Sequence, residues 1–518
     1  MLSAGKRAMN RLFQVERMFH TSSGPVRQIN LDSIAVPQSE INDVLFNVRN
    51  DARVITLNRP AKLNALSTSM CKQILQRLLV FAKSDSNSII VINSSVPKAF
   101  CSGGDVIECA KQNLTGNTAA SVGFFEWEYN LNYLLATYSK PIVSLVNGIV
   151  MGGGVGLSVH TPFRVVDETT RFAMPETNIG FFCDVGTTFY LSRMDGNLGV
   201  YLALTGDELV GYDTYLAGFG THFVPSERSQ QLVETLGGLQ VAELSNTEGE
   251  QSHTDLYPVI NQAIESFSDA VPQGHQFKYS TEQLDVIEKC FGLKNKSVEE
   301  ILRNLREDGS EFALQTIEKL STKSPISLKL CFAMLQKSSK AGIYDAISNE
   351  LKLASKMMVG GETDFNEAIL KRLINKKSTN PEDKIANFKF PDVESVPSSL
   401  IEELISLDTS AIKTPSEKLS QESSESAVDL DDVFIDRFNN VSYVAYPHNM
   451  GLPTQAEVEA YIKGADDSNR KYSVTLKETL KYFDTKYRGK NGVIHKVKSI
   501  VERKTKGSQF GQEYLEWV

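Results

Sequence analysis

The chain has 518 residues, 41% of them hydrophobic and 23% charged, with a formal net charge of −9. That length allows about three domains and a sizeable core, and the acidic balance argues against a wholly basic nucleic-acid binder, although an average can hide a basic segment. No apolar run approaches the roughly 18 residues of a membrane span, and the six cysteines, Cys71, Cys101, Cys109, Cys183, Cys290 and Cys331, lack CxxC spacing and histidine partners, so they read as reduced thiols.

Residues 1–25 carry Lys6, Arg7, Arg11 and Arg17 against the single acid Glu16, with Leu, Met and Phe spaced for an apolar helical face. That composition matches a mitochondrial transit peptide, cleaved near residues 19–23. Residues 44–57 read as two short strands about the turn pair Asn50-Asp51. The spacing of Met70, Ile74, Leu78 and Phe81 predicts a helix over residues 67–83, and Ile89 to Ile92 form a strand ahead of the glycine turn AFCSGGD. A helix is predicted over residues 121–138, then the apolar run 141–146 feeds the triple glycine Gly152-Gly153-Gly154 and a further helix start. Strands alternating with helices in this way argue an α/β core. From residue 228 to 376 strand signals fade and helices are expected, among them 298–306, 310–320 and 326–336. Residues 407–432 are rich in Ser, Glu and Asp and read as a flexible linker, after which aromatics and helical periodicity return.

The chemistry-bearing residues cluster about the two glycine turns. Glycines let a backbone approach a ligand closely, and free N–H groups at a helix start suit negative charge. Two such turns together make an oxyanion hole. Glu176 and Asp184 lie in apolar sequence (Met174-Pro175, Phe181-Phe182), where burial raises a carboxyl pKa and makes a candidate acid, base or nucleophile. Ser158 and His160 follow the glycines without a G-x-S-x-G elbow, so a serine hydrolase is not expected. Cys101 and Cys183 read as small buried hydrophobes. Neither a nucleotide P-loop nor an H-E-x-x-H zinc motif is present.

The segments KAFCSGGD, NGIVMGGGVGLSVH and AMPETNIGFFCDVG, in this order and spacing, resemble the crotonase (enoyl-CoA hydratase/isomerase) superfamily and, within it, the 3-hydroxyisobutyryl-CoA hydrolases. LNRPAKLNAL, LALTGDEL and SPISLKL extend the similarity over residues 40–395. The resemblance implies an α/β fold: a crotonase-like spiral of ββα units (40–225), then a helical region covering the site (226–395). A linker (396–432) and a small, basic, mainly helical C-terminal extension (433–518) follow. It implies a hydrolase of 3-hydroxyisobutyryl-CoA in valine breakdown, in the mitochondrial matrix, with no metal and no cofactor beyond the CoA of the substrate. A homo-oligomer is left open. Fungal members of the family also occur as components of the mitochondrial ribosomal small subunit, a role that need not exclude the first.

On the matching positions, the N–H groups of Gly104 and Gly153 hold the oxyanion, and Glu176 either attacks the carbonyl or activates water. Asp184 orients the substrate hydroxyl or the water. Glu128 contacts substrate, although a lone helical Glu is otherwise a solvated surface residue. CoA lies along Leu63-Asn64-Ala65-Leu66, with Lys62 or Lys98 near its phosphates. Hydratases of the superfamily carry a second glutamate three residues after the middle glycine; this chain has Gly156 there, so hydrolysis is expected and hydration is not. Lys62 sits one place later than the family's lysine, and Cys183, Thr187 and Thr188 replace a proline and two glycines, which puts activity in doubt.

Between residues 470 and 506 the extension carries twelve lysines and arginines against Glu478, Asp484 and Glu502, with Tyr472, Tyr482, Phe483 and Tyr487 interleaved. Two readings stay open: a basic helical pair docking on the acidic body, or a surface for ribosomal RNA or another acidic partner. The second reading predicts that a chain ending near Leu430 keeps its hydrolase activity but loses its association with mitochondrial ribosomal small subunits.

Overall fold

The computed structural model describes residues 36–82, 84, 86–239, 256–359, 363–406, 442–467, 470–506 and 514–518. The predicted transit peptide, 1–25, and residues 407–432 of the predicted linker lie outside them.

Asn50 adopts φ 49°, the left-handed turn that folds Val44–Arg49 (β1) back antiparallel onto Ala52–Leu57 (β2), with Asn47 opposite Val54. The further strands of the body are Ile89–Ser94 (β3), Ala99–Cys101 (β4), Ile142–Val146 (β5), Ile149–Met151 (β6), Phe163–Val166 (β7), Arg171–Ala173 (β8), Leu209–Val210 (β9) and His222–Phe223 (β10). They form a six-stranded sheet, β1-β2-β3-β5-β7-β10, and a four-stranded one, β4-β6-β8-β9. Three successive strand pairs, β3/β4, β5/β6 and β7/β8, put the first strand in the large sheet and the second in the small one, which winds the spiral. Parallel neighbours need crossovers, and helices Thr68–Ala82 (α1), Thr118–Thr137 (α2) and Gly153–Val159 (α3) provide them. All five residues of β5 are buried, which accounts for an apolar run interrupted by Ser144 alone, whose hydroxyl pairs with that of Thr161 at 3.1 Å.

The short helix Thr187–Leu191 (α4) follows the Asp184 turn. In the helical region the predicted segments lie at Val298–Asp308, Glu311–Ser321 and Pro325–Ser338 (α5), the last two capped by the hydroxyls of Ser310 and Ser324. Ile343–Val359 (α6) then packs along α2 and lies over the site. The predicted linker starts too early: Ser398–Ile405 is a helix whose Ile401 and Leu404 are buried, because an apolar spacing of three outweighs the serines beside it.

In the extension, Gln455–Lys463 (α7) and Leu476–Lys486 (α8) each open on a capping box, Thr454 with Glu457 and Thr475 with Glu478. Val493–Lys504 (α9) and a small hairpin, Thr505–Lys506 (β11) with Glu516–Trp517 (β12), complete it. Its buried Val458, Phe483, Val497 and Val501 belong to the same apolar cluster as the body core. Among the described residues no helix is long and apolar enough to cross a membrane. The six cysteines are free and buried.

Candidate active site

Both glycine turns meet at the mouth of α3. Gly152 takes φ 46° and ψ −121°, a conformation that favours glycine, and turns the chain from β6 into the helix. A Cβ on Gly153 would stand 3.1 Å from the Gly104 nitrogen and 2.1 Å from Glu128 Oε1, so the two predicted donors are adjacent and a carboxyl group faces them. The first turn is laced to residues 63–66: Leu66 N donates to the Gly103 carbonyl at 2.8 Å, and Asp105 N donates to the Leu66 carbonyl at 2.8 Å.

Three carboxyl groups surround this point. Glu176 opens the short 3-10 turn after β8, and its Oε1 lies 2.8 Å from where a Cβ on Gly152 would be. Glu128, on α2, is 1% exposed, and its Oε1 has no hydrogen-bond partner among the described residues. Asp184 accepts a 2.5 Å hydrogen bond on Oδ2 from the Tyr129 hydroxyl. Burial pushes Glu176 and Glu128 well above the usual carboxylate range, and the charge of Asp184 adds to it. Burial raises Asp184 to about 7, and the hydrogen bond from Tyr129 opposes the shift.

Gly156 has no room for the second hydratase glutamate: a Cβ there would lie 2.6 Å from Val185 Cβ and 2.8 Å from Asn132 Nδ2. The replaced glycines are accommodated as well. The Thr187 hydroxyl donates to the Asp184 carbonyl at 2.6 Å, and Thr188 Oγ1 pairs with Glu350 and, at 2.7 Å, with Ser338. Cys183, in the proline's place, points its buried thiol at Glu176 Oε2, 3.8 Å away, and at the Ala203 carbonyl, 3.6 Å away. Burial raises that thiol's pKa, so it does not act as a thiolate.

Residues 62–66 behave less simply. The Asn64 side chain braces the loop, donating to Ser94 and the Phe100 carbonyl and accepting from Arg59 N. Ala65 donates its N–H to the Lys62 carbonyl, and its own carbonyl accepts from Arg59. An adenine at Ala65 or Leu66 would share backbone groups that the protein already uses. Lys62 and Lys98 are exposed, and their side chains make no ion pair among the described residues.

Sequence reasoning missed two groups that hold this arrangement. Tyr129 is one. The other is Glu350, fully buried on α6, which accepts from Gly186 N at 2.5 Å, from Thr188 N at 3.1 Å and from the Thr188 hydroxyl. Burial raises its pKa to about 8. A signal existed: Glu350 falls on the apolar face of its helix, in register with Ala346, Ile347, Leu353 and Met357. A small cavity lies elsewhere, between body and extension, with His160, Arg164, Tyr443 and Tyr446 among its lining; Glu128, Glu176 and Asp184 are buried.

The family described as enoyl-CoA hydratase/isomerase matches residues 52–405. The chain is 36% identical to "Small ribosomal subunit protein mS47" of Neurospora crassa, over 93% of this chain and 89% of that one. It is 42% identical to "3-hydroxyisobutyryl-CoA hydrolase, mitochondrial" of Danio rerio, over 65% of this chain and 83% of that one. The crystal structure of a carnitinyl-CoA dehydratase from Mycobacterium thermoresistibile superposes with a TM-score of 0.60 at 28% identity, covering 70% of this chain and 96% of that one.

Proposed function

The chain belongs to the enoyl-CoA hydratase/isomerase family, and from that premise we propose that it is a mitochondrial matrix CoA thioester hydrolase converting 3-hydroxyisobutyryl-CoA and water to 3-hydroxyisobutyrate and CoA. The observation that carries the reading is the pairing of two adjacent glycine N–H donors with Glu176 and Asp184, at a site where Gly156 leaves no space for a second hydratase glutamate. The thioester oxygen accepts from Gly104 and Gly153 as its charge develops; losing one such donor typically costs about 10²–10³ in rate. Glu176 either attacks the carbonyl carbon, expelling CoA thiolate and giving a transient anhydride that water then cleaves to free acid and Glu176, with the water's proton going to the thiolate, or takes a proton from the attacking water and passes it to the leaving CoA thiolate. Asp184, held by Tyr129, orients the substrate hydroxyl or the water. Glu128 bounds the acyl pocket beside Gly153. Residues 64–66 carry the adenine end, with Lys62 or Lys98 at the phosphates. Neither metal nor separate cofactor takes part.

Thiol release from 3-hydroxyisobutyryl-CoA by the purified protein tests this, with crotonyl-CoA hydration measured alongside. Hydrolysis without hydration is expected; hydration without hydrolysis overturns the reading.

A second reading is favoured by the reach of the Neurospora similarity, 93% of this chain against 65% for the hydrolase. In it the protein is also a component of the mitochondrial ribosomal small subunit, contacting RNA through the extension. Lys471, Lys477, Lys481, Arg488, Lys498 and Lys506 are exposed there and form no ion pair among the described residues. Each phosphate they neutralise would release counterions, so co-sedimentation with the small subunit should fall steeply with salt. Absence of co-sedimentation at low salt removes this role.

A further inference from the structure

Residues 184–188 form the turn that presents Asp184, and the turn is held in a costly shape. Val185 has φ 56°, a left-handed conformation that a β-branched residue adopts only where its surroundings hold it. Three side chains hold it. Tyr129 takes the Asp184 carboxylate, Glu350 takes the N–H groups of Gly186 and Thr188, and His160 Nε2 lies 2.8 Å from the Val185 carbonyl.

The His160 contact leads out of the body. A carbonyl only accepts, so Nε2 carries the proton, and Nδ1 of the neutral ring is an acceptor. Burial lowers the ring's pKa to about 4, which keeps it neutral. Nδ1 lies 3.1 Å from the Tyr446 hydroxyl, which therefore donates to it. The imidazole also fills the space over Gly186, where a Cβ would come within 2.3 Å of Nε2.

Tyr446 lies in the extension, beyond the residues that the family matches. Its strap is anchored twice. Ile343 N donates to the Tyr443 carbonyl at 3.0 Å, and Arg193 Nε donates to the Val444 carbonyl at 3.1 Å. The Tyr446 ring stands edge-on to Phe189 of α4, the helix that the turn leads into, with centroids 5.3 Å apart.

We infer that Tyr446, acting through His160 and the Val185 carbonyl, is a positioning residue for Asp184, so that the extension is a working part of the hydrolytic site. This rests on the proposed thioesterase reading and reverses the expectation that a chain ending near Leu430 keeps its activity.

The test compares full-length Tyr446→Phe with Tyr443→Phe. Both remove one hydroxyl from the same strap, but the Tyr443 hydroxyl is buried without a hydrogen-bond partner among the described residues. Tyr446→Phe is expected to lower kcat for 3-hydroxyisobutyryl-CoA about 5–10-fold with little change in KM, as for loss of one hydrogen bond acting in the transition state. It is also expected to speed amide exchange in the peptide spanning residues 181–191, read by mass spectrometry. Tyr443→Phe is expected to change neither. Unchanged exchange in Tyr446→Phe, equal effects of the two variants, or faster exchange with unaltered kcat each overturns the proposal. If the wild-type protein releases no CoA, the function reading falls separately, and faster exchange in Tyr446→Phe alone still supports the coupling.

Discussion

The carboxyl cluster beside the glycine turns and the basic extension treat charge in opposite ways. Around Glu128, Glu176 and Asp184, acids are buried together and no lysine or arginine among the described residues appears among the causes of their pKa shifts; burial raises all three, and the charge of Asp184 raises the two glutamates further. In the extension, Lys490, Lys496, Arg503 and Lys504 are matched to Glu265, Asp195, Asp285 and Glu288 of the body. Arg470 and Lys486 pair within the extension, with Asp466 and Glu457. Unmatched buried charge is costly and stores reactivity; matched charge at a seam joins two pieces. The docking reading of the extension therefore holds for four of its basic residues, and six others remain exposed and unpaired among the described residues.

The comparison breaks most visibly at Glu176. Glu176→Gln is expected to lower thioester hydrolysis by at least the roughly 10²-fold of a lost general base, while the melting temperature stays level or rises because a buried acid has been removed. Unchanged turnover would take Glu176 out of the chemistry.

The pH dependence of stability sharpens it next. Asp184 has a folded pKa of about 7, against an unfolded value near 3.8. Between these values the folded state binds more protons than the unfolded one, so its contribution to stability is present below the unfolded pKa and is lost as pH rises through 7. From that shift, Asp184→Asn should remove a loss on the order of 3 kcal/mol between pH 4 and 8. Denaturant melts of both proteins across that range measure it, and parallel pH profiles would show that the acid is not strained by burial.

On the other side, Lys490 is buried, with its ammonium 3.1 Å from Glu265. Lys490→Met leaves Glu265 and its neighbour His222 without that cation and should cost about 1–3 kcal/mol in chemical denaturation. A neutral result would make the seam's ion pairs dispensable. The smallest expected effect is at Lys477 and Lys481, one turn apart on the outer face of α8. Their replacement by Glu should leave stability within about 0.5 kcal/mol while weakening any association with the ribosomal small subunit. A large loss of stability would mean that this face is not free.

Much of the fold was legible because its causes are local. The Asn50-Asp51 turn, the α1 periodicity and the run of β5 each lie within one short window, and the helices at Val298–Asp308 and Pro325–Ser338 fell within two residues of expectation. The linker boundary failed at Ser398–Ile405, where two buried apolar residues outweigh a polar composition. Of the candidate site, the glycines and Glu176 stood out as a contiguous pattern. Its supports did not: the bonds Tyr129–Asp184, Gly186–Glu350 and His160–Tyr446 join residues 55, 164 and 286 apart in the chain.

By itself the sequence determined which segments become strands, helices and glycine turns, because φ/ψ preference and apolar spacing are properties of neighbouring residues. Only the tertiary structure decided which acids lose their water, which lysines meet a carboxylate, and that a tyrosine near the end of the chain reaches the turn bearing Asp184. Desolvation and pairing are set by everything packed around a group, and at these sites that packing comes from segments 55 to 286 residues apart.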